Sequence, residues 1–112
     1  MIVITYSSLD VELIYQFLKD NFNKQITNQI LADKFHYHAY YINRVFKNKK
    51  GLTIRRFIIE CRINEAKIRL KNENTPIIAI AFECGFESSS YFSRYFKTCV
   101  GVSPSEYRKL NI

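Results

Sequence analysis

Glycine and proline are scarce in this 112-residue chain, at three and two residues. An all-β sandwich turns about every 8–12 residues and would hold more of both. No apolar run approaches the roughly 18 residues of a membrane-spanning helix, and no signal-peptide pattern stands at the start. Cysteine is limited to Cys61, Cys84 and Cys99, an odd number with no CxxC pair. That excludes a disulfide framework and a zinc site; buried or half-buried free thiols in a reducing, cytoplasmic compartment are expected. His36 and His38 have no cysteine nearby, so no metal is assigned. No nucleophile–base spacing, phosphate-cradling glycine loop or carboxylate pair occurs, so no catalytic residue and no cofactor is assigned, and an enzyme is not expected.

Acidic residues are the other shortage. Ten Asp and Glu face seventeen Lys and Arg, for a net charge of +7. So large a charge on one small domain invites a polyanion. From Lys34 to Ile59 there is no acidic residue at all, while Lys34, Arg44, Lys47, Lys49, Lys50, Arg55 and Arg56 stand there, interleaved with Tyr37, Tyr40 and Tyr41. A phosphate-facing surface is the expectation. A membrane-surface role is not, because the basic residues form no single long amphipathic stripe.

Apolar residues make up 47% of the chain and charged residues 24%, enough for a packed core. The periodicity predicts helices throughout. Ser7 and Asp10 give an S-x-x-D start for a first helix with Leu9, Leu13, Ile14, Phe17 and Leu18 on one face. Thr27 opens a short second helix carrying Ile30, Leu31 and Phe35. A third, with Ile42, Val45 and Phe46 inside, ends at Gly51. Thr53 caps a fourth of about 17 residues, to about Leu70, with Phe57, Cys61 and Ala66 facing one way. Thr75-Pro76 reads as an N-cap followed by proline at the first helical position, and that helix runs through Ile80, Ala81 and Cys84 to Gly85. Ser88 opens a sixth, with Phe92, Tyr95 and Phe96 inside and Gly101 at its end; Ser103-Pro104 opens a last short one.

The chain repeats itself. INRVFKNKKGLT at 42–53 and FSRYFKTCVGVS at 92–103 coincide at Arg44/Arg94, Phe46/Phe96, Lys47/Lys97 and Gly51/Gly101. Upstream, Ala32 pairs with Ala81 and Tyr37 with Phe86, one residue out of step with the rest. Each copy is helix, short turn, helix, as a helix-turn-helix requires, with a small alanine where two steeply crossing helices need it. Arg44 and Arg94 fall on the outward side and suit guanine edges; Lys47 and Lys97 suit phosphates.

The stretch Ile80–Arg108, IAFECGFESSSYFSRYFKTCVGVSPSEYR, resembles the C-terminal pattern of the AraC/XylS family of bacterial transcription regulators. That pattern is I-A, then G-F, then Y-F-x-R-x-F-K, then G-x-[ST]-P-x-x-[YF]-R. Arg62, Ala66 and Leu70 match the family's central helix, and the likeness extends from about Leu9 to Lys109. The resemblance implies an all-α fold of about seven helices spanning residues 1–112. Two helix-turn-helix subdomains, 8–51 and 75–109, would be joined by a linker helix at 53–71. It implies recognition helices at about His38–Lys50 and Ser88–Cys99, set to meet successive major-groove faces about 34 Å apart. It implies base-facing Tyr40, Asn43 and Arg44 in the first, and Ser89, Ser90, Ser93 and Arg94 in the second.

Two departures from the family pattern stand out. His36 occupies the place of a turn glycine, so the first turn is expected to be built differently from the second. His38 stands where the third helix usually starts on serine, and is expected to cap poorly. Many family members carry an effector or dimerisation domain ahead of this one; the 112 residues leave no room for it. The β-branched start, Ile2–Tyr6, suits a fragment slightly better than a standalone regulator. Two functions remain open: a sequence-specific binder of double-stranded DNA, or a helical module of the same fold acting on RNA polymerase or another regulator. The polar outward residues of both recognition helices favour the first.

Overall fold

A computed structural model describes residues 9–110. The stretch Ile2–Tyr6 and Ser7 lie outside them. Among the described residues there are seven helices and no strand: α1 Val11–Asn21, α2 Asn28–Phe35, α3 Ala39–Lys50, α4 Ile54–Asn72, α5 Ile77–Glu83, α6 Ser89–Val100 and α7 Pro104–Leu110. They form two compact units. Residues up to Asn21 and Ile26–Phe57 make the first; Phe22–Gln25 and the residues from Ile58 onward make the second. The boundary between units therefore runs through α4.

The first unit buries Val11, Ile14, Leu18, Leu31, Ile42, Phe46 and Ile54. A fully buried side chain of this size contributes about 1.5–3 kcal/mol. Asp10 opens α1, its carboxylate accepting from the Glu12 amide at 2.9 Å. Leu13 is 61% exposed, so it leaves the apolar face the sequence suggests, and Val11 takes a place there. Thr27 caps α2 by accepting from the Ile30 amide at 3.1 Å. At the other end His36 takes a left-handed conformation, φ 61° and ψ 33°, and donates its N–H to the Ala32 carbonyl. The first turn is thus built on a left-handed residue as a glycine turn would be, contrary to expectation. The steric cost is about 1–2 kcal/mol, small enough for the surrounding helices to hold. His38 does cap α3: its Nδ1 accepts from the Tyr40 amide at 3.1 Å.

The second unit packs Ile59, Ile63, Ala66, Leu70, Ile80, Ala81, Cys84, Phe86, Phe92 and Phe96 into one core. On α4 it is Ile59, Ile63, Ala66 and Leu70 that face this core, whereas Phe57 and Cys61 are only half-buried. Thr53 caps α4 by accepting from the Arg56 amide at 3.0 Å. The N-cap of α5 is Pro76, with no side-chain bond; the Thr75 hydroxyl donates instead to Glu73 Oε1 at 2.8 Å. Ser103 and Glu106 cap α7 reciprocally, each accepting from the other's amide at 3.2 Å. Two arginines tie loops to helices. Arg108 donates to the carbonyls of Leu70, Glu73 and Thr75. Arg69 bridges Glu73 and Glu83 at 2.9 and 2.6 Å.

Candidate nucleic-acid interface

In the first unit, α2 and α3 form the helix-turn-helix. The α3 helix is held by Ile42 and Phe46, both fully buried, which fixes the opposite face outward. Tyr40 is 71% exposed there, and Arg44 and Lys47 are exposed as well. Positions 40, 44 and 47 are spaced i, i+4 and i+7, so they form one stripe. Asn43 is different. It is half-buried, and its amide nitrogen donates to the Ala39 carbonyl at 2.8 Å and lies 3.5 Å from Asn28 Oδ1. Its donor is thus occupied within the unit. Asn48, exposed and one turn beyond Arg44, extends the stripe.

The basic window does not act as a whole. Lys50 pairs with Glu12 at 2.7 Å and sits 4.3 Å above the Tyr15 ring, so its charge is spent on α1. Lys34 stands 5.7 Å over the Phe17 ring. Exposed cation–π pairs of this kind contribute about 0.5–1 kcal/mol. Lys47 and Lys49 stay exposed, and α3 has no acidic residue in its first turn.

In the second unit, α5 and α6 repeat the arrangement. Phe92 and Phe96 are fully buried, and Ser90, Ser93, Arg94 and Lys97 are exposed; Ser89 is half-buried at the helix start. Both α3 and α6 are 12 residues long. Both end on a left-handed glycine, Gly51 at φ 84° and Gly101 at φ 98°, whose N–H donates to the Lys47 or Lys97 carbonyl at 2.8 Å. The caps at the start differ. Ser88 accepts from the Tyr91 amide, one residue further in than His38 reaches. Thr98, exposed beyond Arg94 and matching Asn48, was within reach of sequence reasoning through the repeat alone. Its hydroxyl donates to the Arg94 carbonyl at 2.9 Å.

Each unit thus presents a helix-turn-helix whose second helix carries an outward stripe of Arg and Lys over a buried phenylalanine. Two such units in one chain define a helix-turn-helix protein. The family description for the helix-turn-helix domain matches residues 31–110, and the chain belongs to that family, in its AraC/XylS-type branch of DNA-binding transcription regulators. Among curated relatives, the transcriptional activator RhaS of Mannheimia succiniciproducens is 37% identical over 93 residues, covering 83% of this chain and 35% of the relative. The bifunctional transcriptional activator/DNA repair enzyme AdaA of Bacillus subtilis is 34% identical over 101 residues, covering 90% of this chain and 48% of the relative. The chain therefore spans about a third to a half of these two proteins. Among solved structures, the C-terminal domain of AraT, a response regulator from Geobacillus stearothermophilus, superposes with a TM-score of 0.85 at 27% identity, over 92% of this chain and 88% of that one. No helix among the described residues is long and apolar enough to cross a membrane.

Proposed function

We propose that this chain is a sequence-specific binder of double-stranded DNA that regulates transcription, placing α3 and α6 in adjacent major-groove segments. The observation that carries the reading is the duplicated outward face. Arg44 and Lys47 on α3 match Arg94 and Lys97 on α6, and all four are exposed. Arg44 and Arg94 read base edges, where the guanidinium fork fits guanine O6 and N7. Lys47 and Lys97 hold phosphates. Tyr40, Ser90 and Ser93 flank the arginines, and Ser89 lies at the start of α6, the part that enters a groove deepest. Asn43 contributes by bridging α3 to α2 through Asn28 Oδ1.

The names of the relatives support a role in transcription, as an activator in RhaS. On this reading the chain works in the cytoplasm, without catalysis or cofactor. Its partners beyond DNA are RNA polymerase and an effector or dimerisation domain of the kind the greater length of the relatives allows. Selection of bound sites from a random duplex pool tests the reading. A site of two short reads about one helical turn apart is expected. Absence of any enriched sequence overturns it in favour of a helical module that acts on RNA polymerase or another regulator.

A further inference from the structure

Arg94, the proposed base reader of α6, rests on an aromatic ring. Its guanidinium carbon lies 5.6 Å from the centroid of Tyr91. Tyr91 is itself held: its ring centroid is 4.7 Å from that of Tyr95 and 6.4 Å from that of Phe86. Phe86 is buried and packs 5.1 Å from Phe92 in the core. A continuous run of rings therefore leads from the centre of the second unit to its surface and ends under Arg94.

The arrangement has a physical use. An exposed arginine samples many rotamers, and most of them point away from any one base edge. A ring face attracts the guanidinium and narrows that set before binding, so less freedom is lost when the contact forms. The ring pair recurs in the first unit. Tyr37 and Tyr41 lie 5.4 Å apart, at the places that Phe86 and Tyr91 hold in the repeat, with Arg44 following as Arg94 does.

We propose that Tyr91 is a positioning residue, which sets preference at the base pair read by Arg94 by pre-orienting the guanidinium rather than by a contact of its own. The inference rests on the DNA-binding reading above. The test uses the full chain, the duplex recovered by selection, and duplexes altered at single base pairs. Arg94→Ala first identifies the base pair whose preference it flattens. Tyr91→Leu, which keeps bulk and removes the ring, should lower preference there by about two- to five-fold. Tyr91→Phe, which keeps the ring, should retain it. In an Arg94→Ala background, Tyr91→Leu should change preference no further.

Equal preference in Tyr91→Leu and the parent, or equal loss with and without Arg94, overturns the positioning role. Loss in Tyr91→Phe overturns it too, and Tyr91→Met removes the ring in its place if Tyr91→Leu fails to fold. A duplex pool with no enriched site defeats the DNA reading itself and this inference with it, whereas an Arg94→Ala chain with unchanged preference removes Arg94 as a base reader and defeats this inference while the DNA reading stands. Loss in Arg94→Ala alongside full preference in Tyr91→Leu defeats only the inference.

Discussion

Arg62 Nε donates to the Phe22 carbonyl oxygen at 2.7 Å, across 40 residues of chain. Its Nη2 reaches the Lys24 carbonyl at 3.0 Å, and its guanidinium carbon stands 5.7 Å from the centroid of the Phe86 ring. The loop between α1 and α2 is thereby fastened to α4 and to the turn before α6. Gln25 adds a bond to the Gly85 carbonyl at 3.1 Å.

Gly85 has no room beside this arginine. A Cβ there would stand 2.7 Å from Arg62 Nε and 2.8 Å from the Phe22 carbonyl oxygen, on a backbone with φ +110°. Gly85→Ala is therefore expected to destabilise the chain by more than about 3 kcal/mol, strain and lost hydrogen bonds together. Gly51→Ala and Gly101→Ala meet nothing within 4 Å and carry only the cost of positive φ, about 1–2 kcal/mol. Urea denaturation of the three variants checks the order; equal losses would mean that Arg62 yields without cost.

The turn of the first unit has room to improve. His36→Gly removes the left-handed strain but loosens the unfolded chain, for an expected gain of about 0.5–1 kcal/mol. His38→Ser gives α3 the cap that α6 has in Ser88, with an expected gain of a few tenths to about 1 kcal/mol. Thermal melting measures both, and a lower melting point in either variant would reveal a structural role for that imidazole beyond its place in the turn.

These two histidines mark where the sequence was misleading. Local propensity puts glycine and serine at such places, yet the penalties are near 1 kcal/mol each and helix packing outweighs them. The bounds that the family resemblance implies for the recognition helices agree with α3 and α6 to within one residue at either end. On α4 the phase was misjudged. Ile54 and Ile58 lie on a different side of the helix from Ile63 and Leu70, and Phe57 and Cys61 adjoin Ile54 rather than the second core, so no single apolar face describes α4. Asn43 bonds locally to the Ala39 carbonyl, but its further contact is with Asn28, 15 residues away, and no helical pattern encodes that.

Reading and anchoring should separate on α6. Arg94→Ala is expected to lose about 1–3 kcal/mol on the preferred duplex and to flatten preference at one base position. Lys97→Ala should weaken all duplexes alike and reduce the salt slope by about one unit. Affinities for matched and mismatched duplexes at several salt concentrations check both. Equal weakening of the two duplexes by Arg94→Ala would make that residue a phosphate contact. Arg44 and Lys47 should show the same contrast.

Acid should weaken the second unit through two carboxylates. Hydrogen bonds from Arg69, and then from Thr75, hold Glu73 below the usual carboxylate range; the amide and hydroxyl of Ser103 do the same for Glu106. Both groups are less readily protonated in the folded chain than in the unfolded one. Their stabilisation is thus full above the unfolded value, about 4.3, and is lost as the pH falls through the lowered folded values. Melting curves from pH 6 down to about 3 should drop less steeply for Glu73→Gln and Glu106→Gln than for the parent chain. Parallel curves would mean that the two bonds persist equally in the unfolded chain.

The three thiols should react in a fixed order. Cys99 is exposed, in contrast to the burial its apolar neighbours suggested; Cys61 is half-buried and Cys84 buried. Burial pushes the Cys84 thiol up to about 11, and the thiolate is the reactive form. Alkylation at about pH 8 followed by peptide mass analysis should label Cys99 first and Cys84 only with unfolding. Early labelling of Cys84 would show that its core opens locally.

The glycine ends of α3 and α6 bind the Lys47 and Lys97 carbonyls, which belong to the backbone, while the two side chains stay exposed. Whatever residue stands at 47 or 97, the helix ends in the same way. Positive charge at these points can be removed, restored or exchanged in a single mutational step while the glycine hydrogen bond that closes each helix is kept. On the proposed reading, natural selection can accordingly tune the grip on the phosphate backbone at two places independently, leaving the fold and the arginines proposed to read bases untouched.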